Sequence, residues 1–466
     1  MRRVVGATRG SGSGGRSVGG APLVFAVLHL AATGVGAQTP AGTRAPSQEI
    51  PAADARRFWL GVRLEQRDAA AQRLLDSDIP FGELYAALRA DPAYPPDPPT
   101  GRRDLERVGA GGRLYPYTVL VPPTYDPARA YPVLFYLHGG VARPAWTEAG
   151  GWWRDYGRIS DPDRIVVAPA AWSESSWWHE SQIENLDAIL RRLGREYRID
   201  RNRVHVIGIS DGGSGVYYQA FRAPTPWASF LAFIGHPAVL SSPRVGAEGQ
   251  MYVTNLRNRP LFLVNGGRDR LYPTRSVEPF ITLFREHDVP HVYRPQPEAG
   301  HDLGWLGGEA ARIDSFIAAT PRDPLPDRVE WESEAPGRGR FAWIVIDELG
   351  AVDGEATLPE RNDVRLPGDP APVLAFPHPL PSGRVVATRE GNTFRLETTG
   401  VRRLRVLVSP DEIDLERPLR VEVNGRVRFD GVVTPSAEVL LRWAARDEDR
   451  TMLFAAELSI EVATPN

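Results

Sequence analysis

The chain has 466 residues, 42% of them apolar and 24% charged, which is enough for two or three ordinary globular domains. A net charge of −3 gives no electrostatic case for a nucleic-acid or anionic-membrane partner. There is no cysteine, so disulfides, zinc–thiolate sites and a cysteine nucleophile are excluded; all 55 basic residues are arginine, which also excludes a lysine nucleophile.

Residues 1–37 read as an export signal. Arg2, Arg3, Arg9 and Arg16 precede a short apolar run from Ala21 to Ala32, and Val35-Gly36-Ala37 offers small residues for cleavage. The run is too short to span a bilayer, so the expectation is a periplasmic or extracellular protein with no membrane span after signal removal. Residues 38–112 form a linker and helical segment. Phe58, Leu60, Leu64, Ala71, Leu74 and Leu75 recur near helical spacing, and Ile79-Pro80 interrupts a pattern that Leu84 and Leu88 resume. A small helical cap or brace is expected there, ended by the proline-rich piece Asp91 to Pro99.

Strands then alternate with helices over residues 113–322. Tyr117–Val121, Pro132–Leu137, Arg164–Pro169, Val204–Ile207, Phe230–Ile234, Pro260–Val264 and His291–Arg294 read as strands. Ser181 to Glu184 fits a capping box and opens a helix with Leu186, Ile189, Leu190 and Leu193 on one side. Helices are also expected near Val277–His287 and Glu309–Ala319. This alternation predicts an α/β fold with a mostly parallel sheet covered by helices. From 325 to 466 short alternating strands dominate, with a hairpin signal at Asn424-Gly425 and a helix over Pro435–Ala445. That part reads as a β-rich, sandwich-like accessory domain. A chain ending near Asp323 should stay folded if that domain is independent.

One stretch carries the chemistry. The β-branched run Val204-His205-Val206-Ile207 turns at Gly208-Ile209-Ser210-Asp211-Gly212, a G-x-S-x-G pattern, and continues into a helix. In that context the pattern is a nucleophile elbow, holding Ser210 in strained geometry above the sheet. A serine there needs a base, and the base needs a carboxylate to orient it. Asp269 follows the strand ending at Val264, and His301 follows the next strand.

These residues, in the order Ser210, Asp269, His301, resemble the α/β-hydrolases. The nearest style is that of secreted carboxylesterases of the feruloyl esterase and polyhydroxyalkanoate depolymerase type, with dienelactone hydrolases and prolyl-oligopeptidase-like peptidases as similar relatives. The resemblance implies Ser210 as nucleophile, His301 as general base then acid, and Asp269 as its orienter. It also implies an oxyanion hole from the backbone N–H groups of Asp211 and Gly140. It covers under half of the chain and does not extend to 325–466 or to the helices before Arg89.

Other readings stand beside it. Asp302 is the alternative orienter, although a carboxylate next in sequence rarely reaches the far ring nitrogen. His138 holds the oxyanion loop rather than moving protons. His236 could touch substrate or be a packed loop residue. Trp146, Trp152 and Trp153 on one loop, and Trp172, Trp177 and Trp178 on another, could wall a substrate cleft or fill loop cores. His179 and Glu180 lack a partner at ligand spacing, so no metal is expected, and no cofactor. The expected function is ester cleavage through an acyl-enzyme. The alternatives are a serine peptidase or amidase, and a catalytically silent glycan- or partner-binding protein.

Overall fold

An eight-stranded sheet organises the middle of the chain. The computed structural model describes residues 49–145, 163–336, 339–350, 362–368 and 370–462; the expected export signal, Trp146, Trp152 and Trp153 lie outside them. Three helices come first, α1 (Glu49–Leu60), α2 (Leu64–Leu75) and α3 (Phe81–Arg89). The sheet comprises β1 (Gly101–Val108), β2 (Leu114–Val121), β3 (Tyr131–Leu137), β4 (Ile165–Pro169), β5 (Ile199–Ile209), β6 (Ser229–Phe233), β7 (Leu261–Gly266) and β8 (His291–Gln296). Helices α4 (Glu180–Glu196), α5 (Asp211–Arg222), α6 (Thr274–Glu286) and α7 (Leu306–Ala319) connect and follow its later strands.

The strand order is β1-β2-β4-β3-β5-β6-β7-β8. Pairs β1/β2 and β2/β4 are antiparallel and all later neighbours are parallel. This is the α/β-hydrolase fold that the sequence predicts. Alternate residues serve opposite faces: Val133, Phe135, Val204 and Val206 join one buried cluster, Leu134 and Ile207 another. Every residue of β4, β6 and β7 is buried, as central parallel strands require. Strand β1 has no counterpart in the sequence reading. Its side chains alternate between half-buried and exposed along Gly-Arg-Arg-Asp-Leu-Glu-Arg-Val, so an edge position, not an apolar stripe, makes it a strand. Helix α4 starts at Glu180, one residue before the expected capping box, and its N-cap, His179, makes no side-chain cap. The Glu180 N–H donates instead to Glu248, and Ser181 Oγ pairs with Ser175 Oγ.

Beyond residue 325 two further sheets form. Strands β9 (Arg328–Ser333), β14 (Gly383–Glu390), β15 (Thr393–Thr399), β17 (Leu419–Val423) and β18 (Arg426–Gly431) make a five-stranded sheet ordered β18-β17-β15-β14-β9. Strands β10 (Gly339–Phe341), β11 (Ile344–Leu349), β16 (Val401–Val408) and β19 (Ala456–Glu461) make a second. Trp331, Trp343, Phe394, Leu404, Val421 and Phe454 form a common core between them. Asn424 and Gly425 both have positive φ, 50° and 73°, the pairing a two-residue hairpin turn needs.

Two apolar clusters join the β-rich part to the rest. Helix α8 (Ala437–Asp447) carries Leu440, Leu441 and Ala444 into one cluster with Phe58, Leu74, Leu84 and Leu88 of the first three helices. Those helices therefore brace the sandwich side; none of the loops around Ser210 belongs to that cluster. A short hairpin, β12 (Asp363–Val364) and β13 (Val373–Leu374), reaches the other way. It seats Val364, Ala375 and Phe376 in the core of the eight-stranded sheet, with the Phe376 ring edge-on to Phe221 at 4.9 Å. Among the described residues no helix is long and apolar enough to cross a membrane.

Candidate active site

Ser210 sits between the last residue of β5 and the first of α5 with φ 58° and ψ −119°, a strained backbone for a residue with a Cβ. Its N–H donates to Phe233 O at 2.9 Å and its carbonyl accepts from Ser214 N at 3.0 Å, which hold the turn between β6 and the first turn of α5. The helix crosses so close beneath β3 that a Cβ on Gly212 would lie 1.9 Å from Leu137 O. Only glycine permits that approach.

Asp269 and His301 lie on loops after β7 and β8, and those loops lock together. Gly267 N donates to Gln296 O and Arg268 N to Ala299 O, while a Cβ on Gly266 would meet Ala299 O at 2.4 Å. The backbones thus touch directly, which fixes the spacing of the two side chains. His301 Nδ1 lies 2.7 Å from Asp269 Oδ2, and His301 Nε2 lies 2.8 Å from Ser210 Oγ. A carboxylate only accepts, so Nδ1 carries the proton and the Nε2 lone pair faces the serine hydroxyl. Asp269 is buried, and its other oxygen accepts from Leu271 N and Tyr272 N at 2.7 and 3.0 Å. The His301 Nδ1 meets Asp269 and not Asp302, whose Oδ1 accepts from Gly304 N at 2.8 Å in its own turn.

The loop after β3 runs over the serine: a Cβ on Gly139 would meet the Ser210 Cβ at 2.9 Å. Gly140 has φ 67°. The ring of His138 supports this loop from below, with Nδ1–H donating to Gly139 O at 2.9 Å and Nε2 accepting from Ala171 N at 3.0 Å. Complete burial pushes its pKa down to about 3, so it stays neutral.

The structure separates the remaining sequence candidates from the cleft. Trp177 is fully buried; its Nε1–H donates to His138 O at 2.8 Å and its ring packs on the Gly215 face of α5. Trp178 is buried with its Nε1–H on Val245 O. Both fill the core behind the loop after β3 instead of walling a cleft, because their N–H groups find carbonyl partners inside. His236 is buried too, with Nδ1 accepting from Ala238 N and Nε2–H donating to Ser276 O, which leaves no ring nitrogen for a substrate. Burial lowers its pKa to about 4. Tyr272, which the sequence reading passed over, packs its ring against both His236 and His301, with centroids 5.7 and 5.8 Å away. Burial, with Asp211 and Asp269 adding to it, pushes its phenol up to about 12. Its position three residues after Asp269 was the only available signal. Among the described residues no group of acidic or histidine side chains could hold a metal ion.

No family model matches the chain. In sequence it is similar to the bifunctional acetylxylan esterase/xylanase of Neocallimastix patriciarum, 26% identical over 182 residues that make up 38% of this chain and 24% of that protein. It is also similar to dipeptidyl-peptidase 5 of Porphyromonas gingivalis, 27% identical over 140 residues, 27% of this chain and 20% of that one. The chain thus spans a quarter or less of the length of these curated relatives. Among solved structures it is similar to a ferulic acid esterase, at 20% identity and a TM-score of 0.36 over 47% of this chain and 98% of the other. The two curated relatives bear the names of an esterase and a peptidase, both among the kinds of protein that the motifs resemble.

Proposed function

We propose that the chain is an exported serine hydrolase that cleaves a carboxylic ester through an acyl-enzyme. The unbroken hydrogen-bond line from Ser210 Oγ through the His301 ring to Asp269 is the observation that carries this reading. In the proposed reaction Ser210 Oγ attacks the ester carbonyl while its proton passes to His301 Nε2. The imidazolium is stabilised by Asp269, and the tetrahedral oxyanion by the N–H groups of Asp211 and Gly140. Collapse expels the alcohol, which takes the proton from His301. A water then repeats the sequence on the acyl-enzyme and frees the acid. Residues 113–322 would form the catalytic domain, with 325–466 as accessory and 1–37 removed on export. The dipeptidyl-peptidase relative favours a second reading, in which the same three residues cleave an amide after His301 protonates the leaving nitrogen.

The test is a panel of p-nitrophenyl esters, a feruloyl ester and peptide nitroanilides, run beside Ser210→Ala. Ester turnover that disappears in the variant is expected, a loss on the order of 10⁶-fold in kcat. Turnover of nitroanilides alone would replace the ester reading with the peptidase one, and turnover retained in Ser210→Ala would remove Ser210 as nucleophile.

A further inference from the structure

The second variable position of the G-x-S-x-G turn is an aspartate, a residue that the turn itself does not require. Asp211 stands at the first position of α5, and its Oδ2 accepts the N–H of Val141 at 2.9 Å, 70 residues earlier in the chain. That N–H belongs to the peptide joining Gly140 to Val141. The carbonyl of the same peptide, Gly140 O, accepts from Arg143 Nε. One peptide plane is therefore gripped at both edges by charged side chains, and charge-assisted hydrogen bonds are the stronger kind. The loop needs an outside grip because Gly139-Gly140 has no side chains to pack, and glycine, here at φ 67° at Gly140, is free to take other backbone conformations.

We propose that the Asp211 side chain is a positioning residue for the oxyanion loop: with Arg143 it clamps the Gly140–Val141 peptide and so aims the Gly140 N–H at the oxygen of the tetrahedral intermediate. Asp211 then serves the site twice, its backbone N–H as one donor and its carboxylate as the brace for the other. An oxyanion hole works only when both donors are held near 3 Å from the oxygen before the reaction begins. The inference rests on the serine-hydrolase reading above.

The experiment measures steady-state hydrolysis of p-nitrophenyl acetate and thermal unfolding for the full chain and for Ser210→Ala, Asp211→Ala, Asp211→Asn and Arg143→Ala. Ser210→Ala judges the underlying reading by itself: activity retained there removes that reading whatever the other variants do. With that control inactive, Asp211→Ala is expected to lower kcat by about 10- to 100-fold, less than the loss of a whole donor, with KM within about twofold. Asp211→Asn keeps an oxygen able to accept the Val141 N–H and should recover most of the loss. Arg143→Ala should lower kcat by about tenfold, and it decides the matter if Asp211→Ala fails to fold. An unchanged kcat in a folded Asp211→Ala or Arg143→Ala variant overturns the clamp, and so does an asparagine variant as slow as the alanine one.

Discussion

Around Ser210 the chain packs backbone against backbone, glycine by glycine, whereas the seam between the catalytic sheet and the sandwich packs guanidinium against carboxylate. At that seam Arg322 and Asp449 pair at 2.5 Å with both side chains almost fully buried, and Asn202 and Thr451 complete their hydrogen bonding. Burial favours the neutral acid at Asp449, but the charges of Arg322 and Arg201 outweigh it and hold the carboxyl well below its usual range. Glu448 receives Arg67 from α2 and Arg195 from α4, so one carboxylate joins three parts of the chain. Glu330 on β9 takes Arg257 and the Thr254 hydroxyl. The elbow excludes any added side chain; the seam depends on every side chain it has. Backbone sterics control the first, and long-range charge pairing the second, where removing one partner leaves an uncompensated buried charge.

The largest effect should come from deleting the seam. A chain ending at Asp323 loses Phe376 and Val364 from the catalytic core and strips partners from Arg322, Arg257 and Arg195. We expect it to be insoluble or to bind a hydrophobic dye; a soluble, cooperatively melting fragment would make the two regions independent.

A crossed pair of variants then separates the regions. Asp269→Asn should cost about 10⁴-fold in kcat, because the amide can leave His301 in the wrong tautomer, while changing the melting temperature little. Asp449→Asn should do the reverse, losing roughly 3–5 kcal/mol of stability because Arg322 is left buried and unpaired, while the folded fraction keeps its kcat. Parallel denaturant melts and initial rates would show both, and similar damage from the two variants would erase the distinction.

The last effect concerns acid. His138 and His205 are pushed down to about 3 and His236 to about 4, each by burial. In the unfolded chain such groups bind a proton near pH 6.5, so below that pH the unfolded state holds more protons than the native one. Stability is then lost as pH falls from about 6.5, by on the order of 2 kcal/mol per histidine at about pH 5. All three lie in the catalytic region. The lowered carboxylates of the seam, Asp449, Glu448 and Glu330, contribute stability that is lost only below about pH 4. Melting temperatures should therefore already fall between about pH 7 and pH 5; a flat profile there would count against the neutral histidines.

How much could be read in advance follows from the range of the forces involved. The sheet, the elbow and the loops bearing Asp269 and His301 were legible because apolar runs and glycines report local packing. Strand β1 was not, since three arginines and two acids sit among only two apolar side chains and only pairing with β2 makes it extended. The tryptophans looked alike in the sequence, yet Trp177 and Trp178 are core residues because carbonyls of His138 and Val245 happen to lie within reach of their N–H groups. The Asp211 grip on Val141 spans 70 residues and leaves no mark on either segment.

By itself the amino-acid sequence determined an α/β sheet with a strained serine turn, since a buried strand, flanking glycines and a following helix dictate that geometry at short range. Which histidine and aspartate contacts are made, where the tryptophans point, and which of many arginines meets which carboxylate were decided only by tertiary structure. Those choices depend on distances between segments far apart in the chain, and nothing in the local residue pattern encodes them.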